Sequence, residues 1–414
     1  MIKILGKIRD IRTFSSLKNR VYRTYYIGMF GQWTSMNMQI VARSFLIYHI
    51  SGSGAVLGLA ALANAIPTIL VSLPGGALAD RIQKKDILCY TQIGSMLVSL
   101  SVALLLTLGY LSPDKPGSWW ILIVTAAVQG TFMGLMMPAR QAIISEIVDS
   151  EQIMNAVSLN TMGMNALRIL APAATGFLID AVGFSVVYFI SAAMYGLAAF
   201  CMFRIPKTTP QYSGSGNALM DILDGLKYIR REKTIMLVIV ATLFVMLCGV
   251  PFIQLMPMIT VDILKVGASG MGILLSVSGA GAIVGSGILA SVPGRKRGNI
   301  MLTAGFIMGL ALLVFAFSRS WPLSIITVIF IGLGQTSHRT AGNTLIQYYT
   351  EPEYRGRVMS FMMMELGFSS LGTFIAGVLA DTIGVQWSIG SLAIALVIMS
   401  VIFTTTTKRL RRLE

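Results

Sequence analysis

Long apolar segments and short polar links alternate along the whole chain. The hydrocarbon core of a bilayer is about 30 Å thick, and about 20 residues of α-helix cross it. Each apolar segment reaches about this length, so the pattern predicts a membrane protein built only of helices. The twelve predicted spans are residues 24–49, 55–79, 87–111, 119–143, 154–181, 184–204, 234–262, 268–292, 299–318, 322–348, 358–381 and 386–406.

One link is much longer than the others and lies at the middle of the chain. It begins with the linker-like segment PKTTPQYSGSGN and continues as ALMDILDGLKYIRREK, which is typical of an amphipathic helix at a membrane surface. Six predicted spans lie on either side of it. The domains that we expect are a cytoplasmic basic leader (1–23), an N-terminal six-helix bundle (24–204), a cytoplasmic linker (205–233), a C-terminal six-helix bundle (234–406) and a cytoplasmic basic tail (407–414).

Composition and charge support a membrane protein. Hydrophobic residues make up 55% of the 414 residues and charged residues 12%, whereas a soluble protein carries about 25% charged residues. Most of the 32 lysines and arginines fall in links on one side of the predicted membrane. Because cationic side chains resist translocation, we expect this side and both termini to be cytoplasmic. The net charge of +15 therefore indicates topology and not nucleic-acid binding.

A short phrase recurs at the ends of predicted spans two, five, eight and eleven. It reads GALAD from Gly76, GFLID from Gly176, GILAS from Gly287 and GVLAD from Gly377. Spans two and eight end on the inner side, and spans five and eleven end on the outer side. The chain is therefore predicted to hold four three-helix units of alternating orientation, which form two pseudo-symmetric six-helix bundles. Inverted repeats of this kind are typical of secondary transporters, whose substrate sites lie where the repeats meet.

The stretch GGALADRIQKKDIL resembles the signature G-x-L-A-D-R-x-G-R-K of the major facilitator superfamily, and the resemblance covers the whole chain. Its matching residues include Gly76, Asp80, Arg81 and Lys85, whereas Gln83 and Lys84 depart from the pattern. The resemblance implies that Asp80, placed near the start of span eleven, latches the two bundles together with Arg81, and that Arg140 is a further candidate for this contact. A generic positive-inside turn would explain the same basic residues.

A second motif lies in the fifth span, where LRILAPAATG is similar to the antiporter motif G-P-x-x-G-G of the superfamily. Pro172 and Gly176 match, and Ala171 and Thr175 replace glycines. The stretch PARQAIISEIV further resembles the drug- and siderophore-export branch. These resemblances imply the major facilitator fold and export by antiport.

Polar side chains repeat along one face of three predicted spans. A polar group in hydrocarbon needs a partner or a water-filled cavity, and the resemblance implies that spans one, four, seven and ten line a central cavity. The same stripes could instead join neighbouring helices. The candidate cavity residues are Gln32, Gln39, Arg43, Gln129, Met133, Met136, Gln335, Arg339 and Asn343.

Glu365 is the one carboxylate well inside a predicted span. Arg339 lies 13 residues before the turn at Pro352, and Glu365 lies 13 residues after it, so the two have similar depth. An apolar setting favours the protonated carboxyl group, and a nearby arginine favours the carboxylate. We expect Glu365 to pair with Arg339, or to exchange protons with substrate or cavity water. A static ion pair is the alternative.

The absence of certain motifs excludes other functions. The sequence has neither a Walker motif for ATP nor a cluster of metal ligands or a nucleophile elbow, so we expect neither an enzyme nor a bound cofactor. The prediction is a proton-coupled exporter of amphiphilic drugs or siderophore-like compounds that works by alternating access, as a monomer, in the bacterial inner membrane. Arg43, Arg140 and Arg339 suggest an anionic substrate. The alternative is uptake or facilitated transport of a metabolite or lipid-like solute.

Overall fold

The computed structural model describes residues 12–115, 117–207, 218–291, 297–362 and 364–407, and the regular structure in these ranges is helical. The α-helices are α1 (Arg20–Ser51), α2 (Gly54–Arg81), α3 (Lys84–Thr107), α4 (Trp120–Ile147), α5 (Ile153–Arg204), α6 (Ala218–Arg231), α7 (Lys233–Gly249), α8 (Phe252–Met258), α9 (Gly267–Ser291), α10 (Arg297–Phe317), α11 (Trp321–Tyr349), α12 (Arg355–Met362), α13 (Glu365–Ile383) and α14 (Val385–Thr406). The all-helical membrane fold predicted from the sequence is therefore confirmed.

Nine helical stretches within the described ranges are long and apolar enough to cross a membrane. One of them, 150–204, has 55 residues and contains the break at Gly183, where φ is 83° and ψ is 174°. Glycine adopts this positive φ without the steric cost of a Cβ atom, so the chain turns here between two spans. Helices α1 and α11 have 32 and 29 residues but are not among the nine, because their polar stripes lower the hydropathy. The count of twelve crossings stays a prediction.

One predicted span differs from the continuous helix expected. Span seven consists of α7, α8 and a π-helical turn at Ile259–Ile263. Pro251 separates α7 from α8, and Pro257 lies inside α8; proline lacks an N–H group and clashes with the preceding turn. In the described part of span eleven, α12 ends at Met362 and α13 begins at Glu365.

The helices form two halves: an N-terminal half (α1–α5) and a C-terminal half (α7–α14). Within the N-terminal half α1 packs on α5 and α2 packs on α4, and within the C-terminal half α11 packs on α9 and α10. The halves meet most extensively along two pairs of helices, α2 with α13 and α5 with α9. These pairs are the ones that carry the repeated phrase. The two-bundle domain arrangement remains a prediction that this packing suits.

Glycines permit the close approach of the halves. A Cβ atom on Gly377 would lie 2.1 Å from the carbonyl oxygen of Gly54, and one on Gly176 would lie 2.3 Å from that of Ala268. Small residues allow backbones to approach closely in membrane helices. Two of the four repeated glycines are thus required where the halves touch.

The helix ends on the predicted inner side are tied within each half. In the N-terminal half, Lys84 at the start of α3 pairs with Glu146 near the end of α4, and both side chains are buried. Beside them, Lys85 donates to the carbonyl of Ile205 at 2.9 Å. In the C-terminal half, the linker helix α6 packs on α12. Tyr228 of α6 stacks on Tyr354 with ring centroids 4.3 Å apart. The linker helix thus lies against the C-terminal half.

Candidate functional site

Two adjoining cavities of about 260 and 280 Å³ lie between the halves. Five residues line both of them: Ile40, Arg43, Asn64, Gln254 and Leu366. The walls come from α1, α2, α4 and α5 of one half and from α8 and α13 of the other. We call these two volumes together the central cavity.

Four residues from the predicted cavity set line this space: Gln39, Arg43, Gln129 and Met133. The remaining members lie elsewhere. Gln32 is 1% exposed and donates to the Met136 sulfur at 2.8 Å, so this amide is partnered inside the N-terminal half. Gln335 and Asn343 each have a buried amide oxygen without a hydrogen-bond partner among the described residues, and neither lines the central cavity.

Several lining residues were missed by the sequence analysis. They are polar residues of predicted spans one, two, six, seven and eleven, namely Ser44, Asn64, Tyr195, Gln254, Ser369, Ser370 and Thr373. Asn64 and Gln254 stand out in otherwise apolar segments, and this isolation was the available signal. The serines and Thr373 gave none, because such hydroxyl groups commonly bond to the backbone of their own helix, as Thr373 does with the carbonyl of Ser369 at 2.8 Å.

A hydrogen-bonded chain holds the Arg43 side chain in place. Its Nη2 donates to Gln39 Oε1 at 2.8 Å, and Gln39 Nε2 donates to the Ser99 hydroxyl, also at 2.8 Å. Ser99 in turn donates to the carbonyl of Ser95 at 2.9 Å. Because the Gln39 amide is fixed on both sides, it presents only its oxygen to Arg43. The guanidinium is thereby oriented by α1 and α3.

A second polar group lies next to the central cavity. Arg339 Nη2 is 3.0 Å from Glu365 Oε2, and the two side chains are 59% and 7% exposed. The second Glu365 oxygen is buried without a hydrogen-bond partner among the described residues. Leu366, which follows Glu365, lines the central cavity. Arg168 of α5 is close enough to Arg339 for their charges to repel. The structure therefore brings Arg339 and Glu365 together, in agreement with the similar depth inferred from their spacing around Pro352.

Two aspartates join the halves on the predicted outer side. We call this set of contacts, made by Asp381 with residues 53–55 and by Asp180 with Ser269, the outer latch. Asp381 accepts hydrogen bonds from the Ser53 hydroxyl at 2.6 Å and from the backbone N–H groups of Gly54 and Ala55 at 2.6 and 3.0 Å. Asp180 accepts from the Ser269 hydroxyl and from its N–H group at 2.8 Å. Each carboxylate thus caps the N-terminus of a helix from the opposite half, where the helix dipole favours a negative charge.

The predicted signature-loop residues are described only in part. The side chain of Asp80 lies outside the described residues, so its contact with span eleven stays a prediction. Arg81 is exposed, and a Cβ atom on Gly76 would meet nothing within 4 Å. The described ion pair of this loop is instead made by Lys84, the residue that departs from the signature.

The antiporter-motif residues lie where α5 meets α9. The carbonyl oxygen of Pro172 would be 2.3 Å from a Cβ atom on Gly272, and Gly176 packs on Ala268. Nearby, the Ala173 N–H group donates to the Ser276 hydroxyl at 3.0 Å. Pro172 and Gly176 therefore form part of the contact between the halves.

Arg140 of α4 was a further candidate for the contact between the bundles. It lies beside Tyr25, and its Nη1 is buried without a hydrogen-bond partner among the described residues. It does not line the central cavity.

Within the described ranges, His, Cys, Asp and Glu do not gather into a group of three that could hold a metal ion.

The chain is similar to several characterised transporters. It is 25% identical to the Staphyloferrin A transporter of Staphylococcus aureus, with 94% of this chain and 96% of the relative covered. It is 23% identical to Macrolide efflux protein A of Streptococcus pyogenes, with 91% and 94% covered. The multidrug efflux pump Tap of Mycolicibacterium fortuitum is 23% identical, with 91% and 92% covered.

Solved structures support the same fold. A bacterial homologue of the human lysosomal transporter Spinster, in an inward-facing and unoccupied conformation, superposes with a TM-score of 0.73 at 14% identity, covering 94% of this chain and 98% of that chain. The nucleoside transporter NupG gives a TM-score of 0.72 at 15% identity, covering 94% and 99%. Identities this low show the fold alone. Residues 11–414 match the family described as transmembrane secretion effector, and the chain is therefore a multi-pass membrane protein of that family within the major facilitator transporters.

Proposed function

We propose that this protein is a proton-coupled exporter of amphiphilic small molecules, such as drugs or siderophore-like compounds, and not an enzyme. The observation that carries the proposal is the central cavity, which draws its walls from both halves and lies beneath the outer latch. Apolar side chains such as Ile40 and Leu57 alternate in its lining with amides and hydroxyls. Binding sites of this mixed kind suit ligands with both apolar and polar parts. The relatives named for efflux and for a siderophore add support.

Export proceeds by alternating access in this proposal. The hydrogen bonds of the outer latch close the predicted outer side, whereas the described ion pairs at the inner ends act within a half or between the C-terminal half and its linker helix. Rocking of the halves would break the latch and bring the inner ends together. Both termini face the cytoplasm of a bacterial cell, and one chain forms the complete pathway, because a cavity between its own halves needs no second copy.

Proton coupling is assigned to Glu365. Its carboxyl group is 7% exposed, is held by Arg339 through one oxygen and lies beside a cavity-lining residue. A carboxyl group in such a place changes its proton affinity when its arginine partner moves away, because burial then favours the neutral form. Movement of α11 relative to α13 during the transport cycle would therefore bind and release a proton.

Transport in proteoliposomes tests the proposal. The purified protein is reconstituted, a pH gradient is imposed in either direction, and a panel of fluorescent drugs and siderophores is assayed. We expect accumulation that reverses with the gradient. In Glu365→Gln, accumulation should lose its dependence on the gradient while the protein still folds, whereas the exposed Glu353→Gln serves as the matched control and should behave as the wild type.

Two outcomes contradict the proposal in different ways. Gradient-dependent accumulation by Glu365→Gln would show that Glu365 does not couple transport to protons. Equilibration of solutes without accumulation at any gradient would instead identify the alternative function, facilitated transport of a metabolite or lipid-like solute.

A further inference from the structure

The central cavity holds one cationic side chain that the described protein leaves without a counter-charge. Arg43 lines both volumes of the cavity, and the other described lining residues are apolar, hydroxyl-bearing or amide. An uncompensated charge at this depth is costly, and such residues face water, a partner or a ligand. The partner of Arg43 must therefore be sought outside the described protein groups.

The nearby carboxylates are engaged elsewhere. Glu365 precedes the cavity-lining Leu366 in the chain, but its carboxylate binds Arg339. Asp262 accepts a hydrogen bond from the Tyr48 hydroxyl at 2.5 Å, and Asp381 belongs to the outer latch. Among the described ion pairs, none is made by Arg43, and its described hydrogen bond goes to an amide. The cavity thus keeps a positive potential.

The geometry of Arg43 also suits a particular kind of anion. A guanidinium carries five N–H donors in a planar fork that matches a carboxylate. One hydrogen bond to Gln39 holds Arg43 in place, which leaves further donors for a ligand. Because Gln39 is fixed by Ser99, the fork is oriented before the ligand arrives, and less conformational entropy is lost on binding.

We infer that the transported substrate is an amphiphilic anion whose carboxylate is bound by Arg43 in the central cavity. Its apolar body lies on Met36, Ile40 and Met133, which line the same volume of the cavity. Gln254 offers its amide group to polar substituents of the substrate, and Asn64 offers its amide oxygen, since the Asn64 Nδ2 donates to the Ala126 carbonyl at 3.0 Å. This inference rests on the proposed function and narrows it, because a cationic drug would meet the positive potential of Arg43 and bind weakly.

Three probes that differ only in charge test the inference. They are dansylated undecanoic acid, its methyl ester and the corresponding dansylated amine, and binding to the purified protein is followed by fluorescence. We expect the carboxylate to bind about tenfold or more tightly than the ester, and the amine to bind weakest. Arg43→Gln should weaken carboxylate binding about 10- to 100-fold and leave ester binding within about twofold, because charge-assisted hydrogen bonds are lost.

Further variants separate a binding role from a structural one. Arg43→Lys keeps the charge but not the fork, so carboxylate affinity should fall between wild type and Arg43→Gln. Gln254→Glu places a carboxylate in the same cavity. It should weaken binding of the acid probe and strengthen binding of the amine probe. The exposed Arg319→Gln is the matched control and should bind all three probes as wild type does.

The result that overturns the inference is equal binding of the acid and the ester by wild type, or unchanged acid binding by both Arg43→Gln and Gln254→Glu. This failure is distinct from that of the proposed function. Proton-coupled transport of a cationic drug would support the proposed exporter but contradict an anionic substrate. Arg43-dependent binding of the acid without gradient-dependent transport would support an anionic substrate but contradict proton coupling.

Discussion

The predicted outer and inner ends of this molecule are held together in different ways. At the outer end, Asp180 and Asp381 bind helix N-termini that belong to the opposite half. At the inner end, Lys84 binds Glu146 inside the N-terminal half, and Tyr228 stacks on Tyr354 between the linker helix and the C-terminal half. The outer contacts therefore control how the halves sit together, whereas the inner contacts control the integrity of each half.

In the proposed alternating-access cycle, this difference would allow one chain to be both stable and mobile. A buried ion pair is costly to break, so it suits a contact that persists through every conformation. A hydrogen bond between an exposed carboxylate and a helix end contributes less, because water competes for both partners. Such a contact suits a closure that must open. The predictions below separate the two kinds of contact.

The largest effect is expected from Glu146→Gln. It leaves the buried Lys84 ammonium without its counter-charge, and removing one partner of a buried ion pair costs about 3–5 kcal/mol. The free energy of unfolding in detergent should fall by an amount of this order, and the apparent melting temperature should fall with it. The exposed Glu151→Gln is the control. A melting temperature equal to that of the control would show that the ion pair does not stabilise the half.

The next effect is expected from Gly377→Val. A Cβ atom there would lie 2.1 Å from the Gly54 carbonyl oxygen, so α2 and α13 must move apart, at a cost of about 1–3 kcal/mol. The outer side should open and transport should fall. Opening is measured with Ala61→Cys, a cavity-lining position, in a background whose native cysteines are replaced by alanine, and with a maleimide that cannot cross the membrane.

The control for this variant comes from the same repeated phrase. A Cβ atom on Gly287 would meet nothing within 4 Å, so Gly287→Val should leave labelling from the outer side unchanged. If both glycine variants label Ala61→Cys equally, the close backbone contact at Gly377 does not hold the outer side closed.

A smaller effect is expected from removing one carboxylate charge of the outer latch. Asp381 accepts three hydrogen bonds and Asp180 two, so Asp381→Asn should open the outer side more than Asp180→Asn. If the substitution costs about 1 kcal/mol of stabilisation of the closed state, the equilibrium between the closed and the open outer side shifts about fivefold. The same maleimide labelling measures it, and melting temperatures should change little. Asp114→Asn is the control, because Asp114 bonds within its own loop to Ser112. If Asp180→Asn opened the outer side more than Asp381→Asn, the number of hydrogen bonds at each aspartate would not explain its contribution to closure.

The smallest effect on closure of the outer side is expected from Tyr228→Ala. Loss of the aromatic pair costs about 0.5–1.5 kcal/mol beyond the lost burial, and the hydrogen bond that the Tyr228 hydroxyl accepts from the Glu351 N–H group is lost with it. The change should loosen the linker helix from α12 without affecting the outer latch. Limited trypsin digestion at the nearby Arg230 and Arg231 should become faster, while maleimide labelling stays constant. Tyr90→Ala, at an exposed tyrosine, is the control. Faster outer labelling in Tyr228→Ala would show that the linker also governs closure.

Much of the fold could be predicted because the bilayer limits the choices. A span must be helical and apolar, so segment length indicated the helices to within a few residues. The break at Pro251 was not predicted. Proline lacks a backbone N–H group, yet it is tolerated within a span where the surrounding structure satisfies the freed backbone groups, and a single segment does not reveal those surroundings.

The candidate site was predicted less completely. The spacing of Gln32, Gln39 and Arg43 along α1, at i, i+7 and i+11, placed them on one face of the helix, and Gln39 and Arg43 line the cavity. Gln32 shares this face, yet Met136 supplies its partner in the interior. Periodicity identifies the face of a helix, but it does not distinguish a neighbouring helix from a cavity at each level.

The sequence by itself determined the helical membrane fold, the repeated phrase and the residues able to pair, since these follow from hydropathy and spacing along one chain. Only the tertiary structure decided that Asp180 and Asp381 join the halves at the outer end and that Lys84, not a signature residue, forms the buried pair. It also showed that Arg43 remains without a counter-charge among the described residues. The physical reason is that an ion pair or a helix cap depends on distances of a few ångströms between segments far apart in sequence, and these distances are set by how the helices pack.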